Sequence, residues 1–87
     1  MKLYNYCMDC GRAGDLKATF AAEPEEIAAI IGRDIDFGEA FGKHSEVVGT
    51  MEASEFTEVD ASPAFIEEFA RLFPHGLGHN PLSYVEL

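Results

Sequence analysis

Two runs of alternating side chains, joined by a turn rich in glycine, constrain this chain more than any other feature. Lys2 to Met8 (KLYNYCM) reads as a strand, with Leu3, Asn5 and Cys7 on one face and Tyr4, Tyr6 and Met8 on the other. Gly11-Arg12-Ala13-Gly14-Asp15 is a turn whose glycines can take positive φ. Leu16, Ala18 and Phe20 then alternate with Lys17 and Thr19. A link this short joins antiparallel neighbours, so the N-terminus predicts a β-hairpin.

The rest of the chain must cover that hairpin. Pro24 after Glu23, acids at Glu25 and Glu26, and Gly32 punctuate a helix of about two turns, with Ile27, Ile30 and Ile31 as its buried stripe. Arg33 to Phe41 alternates again, placing Ile35, Phe37, Glu39 and Phe41 on one face, and Gly38 within it suggests a bulge. Gly42 to Ser45 is a turn, and Glu46–Met51 and Glu55–Asp60 read as two more strands. Ser62 caps a second helix opened by Pro63. Phe65, Ile66, Phe69, Leu72 and Phe73 give that helix a wide apolar stripe, and Pro74 ends it. Leu82 to Leu87 is a candidate short edge strand. The order β-β-α-β-β-β-α predicts an α+β fold: one antiparallel sheet of about five strands with both helices on one face. With 87 residues, 47% of them apolar, residues 1–87 form a single domain around one core.

Charge narrows the function. The chain carries 16 acidic and 6 basic side chains, a net −10 that disfavours direct contact with nucleic-acid phosphates or anionic membranes. No apolar run approaches the ~20 residues of a bilayer span, and Met1-Lys2 leads into a strand pattern, not a signal peptide. The expected setting is a cytoplasm. Residues 46–68 hold Glu46, Glu52, Glu55, Glu58, Asp60, Glu67 and Glu68 with no intervening Lys or Arg. A merely soluble surface mixes signs, so this block reads as a folded acidic surface with a use.

Four spacings bear on chemistry. Cys7-x-x-Cys10 and His75-x-x-x-His79 are each used by zinc sites, and together would make a Cys₂His₂ site joining the chain ends. On a regular strand, however, Cys7 and Cys10 face opposite sides. A redox role for the cysteines lacks the helix N-terminus that activates such thiols. His44-Ser45-Glu46 has the residue types of a hydrolase triad, but neighbours in an extended turn do not stack into one. Gly38-x-x-x-Gly42-Lys43-His44 is a residue short of a phosphate loop and has His in place of Ser or Thr. The chain is therefore expected not to be an enzyme. Arg12, Lys43, His44, Ser45, His79 and Asn80 sit in three turns and would form an anion or nucleotide pocket if those turns met. Otherwise they are solvated loop residues.

Phe37-Gly38-Glu39, the Gly42-Lys43-His44-Ser45-Glu46-Val47 stretch, Gly-Arg-Ala-Gly near the start and Gly78-His79-Asn80-Pro81-Leu82 near the end resemble small proteins of bacteriophages and prophages. The resemblance touches about a third of the chain. It implies a phage-encoded accessory protein acting in a bacterial cytoplasm, a setting in which many small acidic proteins inhibit host defence, including anti-CRISPR and anti-restriction proteins. The leading expectation is a non-enzymatic inhibitor without a cofactor, whose acidic surface occupies a basic nucleic-acid-binding surface of a host protein. A nucleotide-sequestering protein is the alternative, and a zinc-binding interaction module a lesser one. Phe37, Phe41, Tyr4, Tyr6 and Met8 exceed what two short helices cover. The chain is therefore also expected to pair as a homodimer through a sheet face or the last strand's edge.

Overall fold

The N-terminal hairpin forms as its alternation requires. The computed structural model describes residues 1–42 and 46–85. Strand β1 (Lys2–Asp9) pairs antiparallel with β2 (Asp15–Ala22), Tyr4 opposite Phe20, Tyr6 opposite Ala18 and Met8 opposite Leu16. This register puts Tyr4, Tyr6, Met8, Leu16, Ala18, Phe20 and Ala22 on one face, all buried.

Helix α1 (Pro24–Ile30) follows, with Pro24 in its first turn and the Glu23 N–H donating to Glu26 Oε1 at 2.9 Å. It buries Ile27 and Ile30 against the apolar sheet face. Ile31 falls just past the helix, with extended backbone, and is exposed, so the expected stripe loses its third member.

Strands β3 (Asp34–Gly38) and β4 (Val47–Thr50) pair with each other in a separate two-stranded sheet. The bulge expected at Gly38 is present: the register shifts between Asp36 and Gly38, where φ is +66°. The strand ends there, so Glu39 and Phe41 lie beyond it. This small sheet lies over the first one, adding Ile35, Phe37 and Met51 to the core. Gly49 lies so close to the Met8 side chain that a β-carbon there would overlap its sulfur.

Strand β5 (Phe56–Val59) returns to the first sheet beside β1, with Tyr6 opposite Phe56 and Leu3 opposite Val59. Helix α2 (Pro63–Leu72) starts at Ser62, whose hydroxyl accepts from the Phe65 N–H at 3.2 Å. Its Ile66 and Phe69 pack with Leu3, Ala21 and Val59. Those are the residues of β1, β2 and β5 that point away from Tyr4 and Phe20. The last strand, β6 (Leu77–Gly78), pairs with Ala18 and Thr19 of β2 and completes the order β5-β1-β2-β6.

The α+β class holds, and its layering corrects the expectation. Among the described residues there are two sheets, of four and two strands, and the helices lie on opposite faces of the larger one. The cause is area: Ile27 and Ile30 alone cannot cover seven apolar side chains, so the β3–β4 hairpin folds over the same face. Leu77–Gly78, not Leu82–Leu87, forms the short edge strand; Pro81–Ser83 is a 3-10 turn, and Glu86 and Leu87 lie outside the described residues. The aromatics that suggested a dimer are covered within one chain. Tyr6 packs against Phe56 at 4.8 Å and Phe37 at 6.3 Å between ring centroids, and Phe37 against Tyr84 at 5.1 Å. Among the described residues no helix is long and apolar enough to cross a membrane.

Candidate partner-binding surface

The edge of the larger sheet collects acidic side chains because β5 is its outer strand. The 3-10 turn Ala53–Glu55 leads directly into β5, so Glu52, Glu55, Glu58 and Asp60 follow one another along that edge. Glu52 and Glu55 also shape the backbone. The Glu52 N–H donates to Glu55 Oε1 at 3.0 Å, and the Glu52 side chain accepts from the Glu55 N–H. Glu58 stands opposite Tyr4 in the ladder. Burial raises the Tyr4 pKa above its ordinary value, and the charges of Glu58, Glu25 and Glu23 raise it further. Carboxylates from the edge strand and from the start of α1 therefore act on one hydroxyl.

Cations near this ribbon neutralise it only partly. Lys2 Nζ lies 3.7 Å from Glu58 Oε2 and the N-terminal amine 3.3 Å from Glu23 Oε1, all on side chains about half exposed. Exposed pairs of this kind are screened by solvent and contribute little. Acids on an outer strand also discourage edge-to-edge pairing with another sheet.

The seven candidate acids do not form one patch. Glu52, Glu55, Glu58 and Asp60 make the edge ribbon. Glu67 and Glu68 ride on α2, on the opposite sheet face, where Glu68 pairs with Arg71. Glu46 precedes β4 and lines a cavity of about 330 Å³ with Asp9, Cys10 and Phe41.

Of the nucleotide set, Arg12, His79 and Asn80 lie among the described residues. Arg12 is exposed in the turn between β1 and β2. Asn80 is buried and its amide is engaged: Nδ2 donates to the His75 carbonyl and Oδ1 accepts from the Leu82 N–H, both at 3.0 Å. The His79 N–H donates to the Lys17 carbonyl at 3.0 Å, which ties this segment to β2. Lys43, His44 and Ser45 lie outside the described residues.

The cysteines diverge. Cys7 is exposed on the α2 side of the sheet, while Cys10 lies beyond the end of β1 with its thiol donating to the Met8 carbonyl at 3.7 Å. Burial, aided by Asp9, Asp15 and Glu55, raises the Cys10 pKa, which opposes the thiolate that metal binding or redox chemistry needs. Among the described residues no three His, Cys, Asp or Glu side chains gather as a metal site.

The reading of the residues missed a second surface. Of the five apolar residues in the α2 stripe, only Ile66 and Phe69 are buried; Phe65, Leu72 and Phe73 are exposed. The signal was the width of the stripe, since one contact with a sheet needs fewer positions than five. No protein-family model matches the chain, and no curated protein or solved structure does.

Proposed function

We propose that this chain is a non-enzymatic inhibitor of phage type. It binds a host protein that handles nucleic acid, and its carboxylates occupy the basic surface that otherwise holds phosphates. The observation that carries this reading is the ribbon of Glu52, Glu55, Glu58 and Asp60 along one sheet edge, with Glu23 and Glu25 acting on the same tyrosine as Glu58. A row of like charges along one sheet edge, with Glu58 in β5 and the others in the segments that flank it, offers a basic channel a row of anions. Complementary fields of this kind accelerate association and make it fall with salt. The acids repel one another in the free protein, and a basic partner relieves that repulsion.

The test is affinity capture from a bacterial lysate, comparing the wild-type chain with a Glu25→Lys, Glu58→Lys, Asp60→Lys triple variant. These positions avoid the mutual capping of Glu52 and Glu55. The expected result is retention of a nucleic-acid-binding protein that added DNA or RNA displaces and that the triple variant does not retain. Equal retention by the variant, or retention indifferent to nucleic acid, would overturn the proposal.

A further inference from the structure

Among the described residues, the outer strands of the two sheets are β5, β6, β3 and β4, and they are not defended alike. Main-chain N–H and C=O groups on an outer edge pair with any strand that reaches them, so folded chains shorten such strands or load them with charge. Strand β5 carries Glu58 and is followed by Asp60, β6 is two residues long, and β3 carries Asp34 and Asp36. Strand β4 reads Val-Val-Gly-Thr, with no charge and no proline. Its Val48 is 61% exposed, and Thr50 is exposed as well.

The ladder decides which groups of β4 point outward. The Met51 N–H donates to the Arg33 carbonyl at 2.9 Å, and hydrogen-bonded positions alternate along an antiparallel pair. Gly49 therefore exchanges bonds with Ile35, and the N–H and C=O groups of Val48 and Thr50 point away from β3. No other described backbone bonds to them. Carboxylates bracket this edge. Glu46 immediately precedes β4, and Glu52 follows Met51 in extended backbone. Neither forms an ion pair among the described residues. Arg33 shares a cavity with Asp34, Asp36 and Val48, so carboxylates outnumber the cation across the hairpin too. Next to the edge, the cavity of about 330 Å³ has Met8, Phe41 and Val47 as apolar walls and Asp9 and Glu46 at its border.

We propose that β4 receives an extended segment of the partner as a further strand, β-branched at its centre and with Lys or Arg toward its ends. Main-chain bonds to Val48 and Thr50 hold such a strand, and the carboxylates of Glu46 and Glu52 select it. Glu46 and Glu52 are six positions apart, so the basic residues of the added strand stand six apart as well. Side chains on its inner face meet Val47 and the cavity, where Met8 and Phe41 accept an apolar group. A second copy of this chain is a poor occupant. The pairing that satisfies the outward groups of both copies sets Val48 opposite Thr50 and Gly49 opposite Gly49. It then brings Glu46 of each copy against Glu52 of the other, like charge facing like charge at both ends.

This inference rests on the proposed function only for the premise of a basic partner, and Glu52 is the one residue it shares with the acidic ribbon. The probe is a synthetic peptide of about nine residues, alternating Val and Thr between two arginines set six apart. One control is the same peptide N-methylated at the residues facing Val48 and Thr50, and another has Glu in place of Arg. Binding is read by fluorescence anisotropy at physiological salt, and by hydrogen exchange of the protein's amides. The expected result is saturable binding of the arginine peptide, at least tenfold weaker for either control. Exchange slows at Val48 and Thr50 and is unchanged at Glu58. Val48→Pro removes an outward donor and leaves the bonds to β3 in place, so it weakens binding at least tenfold. Val48→Lys and Glu46→Lys do so independently, by placing a like charge before the arginines. The Glu25→Lys, Glu58→Lys, Asp60→Lys variant changes binding less than threefold. Thermal melts of each variant confirm that the fold is retained, and the lysine variants keep the test decisive if the proline does not fold. Equal binding of the N-methylated peptide, protection at Glu58 in place of Val48, or binding unmoved by the β4 variants would overturn β4 as the docking edge. So would sedimentation showing a wild-type dimer that Val48→Pro dissociates, because the occupant would then be a second copy. Failure of the ribbon reading appears in lysate capture and failure of this one in peptide binding, so the two are told apart.

Discussion

The two faces of the four-stranded sheet are built from the same strands and finished to different degrees. One face carries Tyr4, Tyr6, Met8, Leu16, Ala18, Phe20 and Ala22, and is covered by α1 and the β3–β4 hairpin. The other carries Leu3, Ala21 and Val59 under α2, and then polar residues open to solvent. The closed face holds the fold together, and half of the open one meets solvent. Alternation allows this division, since neighbouring residues on a strand answer to different environments.

The largest expected effect tests that division at its centre. Phe20 is fully buried on the closed face, and its ring packs against Tyr4 and Phe56. Phe20→Ala should cost about 3–5 kcal/mol, which for a domain this small approaches the whole stability. Urea denaturation followed by circular dichroism measures it. A loss below about 1 kcal/mol would mean that the two faces share the load.

Gly78 tests the border between the faces. It has φ +76°, and a β-carbon there would collide with the Lys17 backbone carbonyl. Gly76, two residues earlier at φ +73°, would collide with the Thr19 carbonyl at 2.7 Å. These glycines let β6 lie against β2 and set Leu77 at the margin of the open face. Gly78→Ala should cost about 2 kcal/mol, from both the left-handed backbone and the collision. Proteolysis beginning near residue 77 would locate the damage, whereas an unchanged urea midpoint would show that β6 is dispensable.

Much of this was legible in the residues. Tyr4-x-Tyr6-x-Met8 against Leu16-x-Ala18-x-Phe20 fixes the hairpin and its buried face, and Ser62-Pro63 fixes where α2 begins. The partner of each later strand was not legible. Ile35 and Phe37 alternate as they would in any strand, and nothing in that pattern distinguishes pairing beside β1 from folding over it. The decision depends on the area left uncovered by α1, a property of the assembled sheet. The face chosen by α2 was hidden for the same reason, because Leu3 and Val59 show their use only once β5 is seen beside β1. Of the acidic block, the run from Glu52 to Asp60 became a ribbon because it lies on one edge. Glu67 and Glu68, a few residues later, were carried to the opposite face by the turn into α2.

A smaller effect sharpens the picture of the closed face. Among the described residues the buried Tyr6 hydroxyl has no hydrogen-bond partner. Burial, and then the charge of Glu55, raises its pKa well above the ordinary tyrosine value, as burial does for Tyr4. Both tyrosines stay neutral in the folded chain at pH values where they ionise in the unfolded one. Their contribution is fully present below about pH 10, the ordinary tyrosine value, and is lost as pH rises through the folded values. Tyr6→Phe removes the unpaired hydroxyl, so it should raise stability by about 1 kcal/mol at neutral pH. It should also reduce the alkaline loss, leaving the share due to Tyr4. Guanidine titrations at pH 8 and above pH 10 provide both values. A destabilised Tyr6→Phe would reveal a partner for the hydroxyl in solution.

The smallest expected effect is on the open face, and its smallness is the point. Phe65 and Leu72 are more than half exposed, and the contacts that anchor α2 belong to Ile66 and Phe69. Replacing either residue with Ser removes apolar area of which more than half is already in water, so each change should cost no more than about 1 kcal/mol. Phe65 carries one qualification, since its ring lies 6.4 Å from that of Phe69 and contributes a weak aromatic contact. Leu72→Ser is therefore the cleaner measurement. Thermal melts at two protein concentrations separate the outcomes. A melting temperature that is unchanged and independent of concentration agrees with an uncovered face on a monomer. A large fall at both concentrations would mean that Leu72 supports the fold itself, and the open face would then belong to the core.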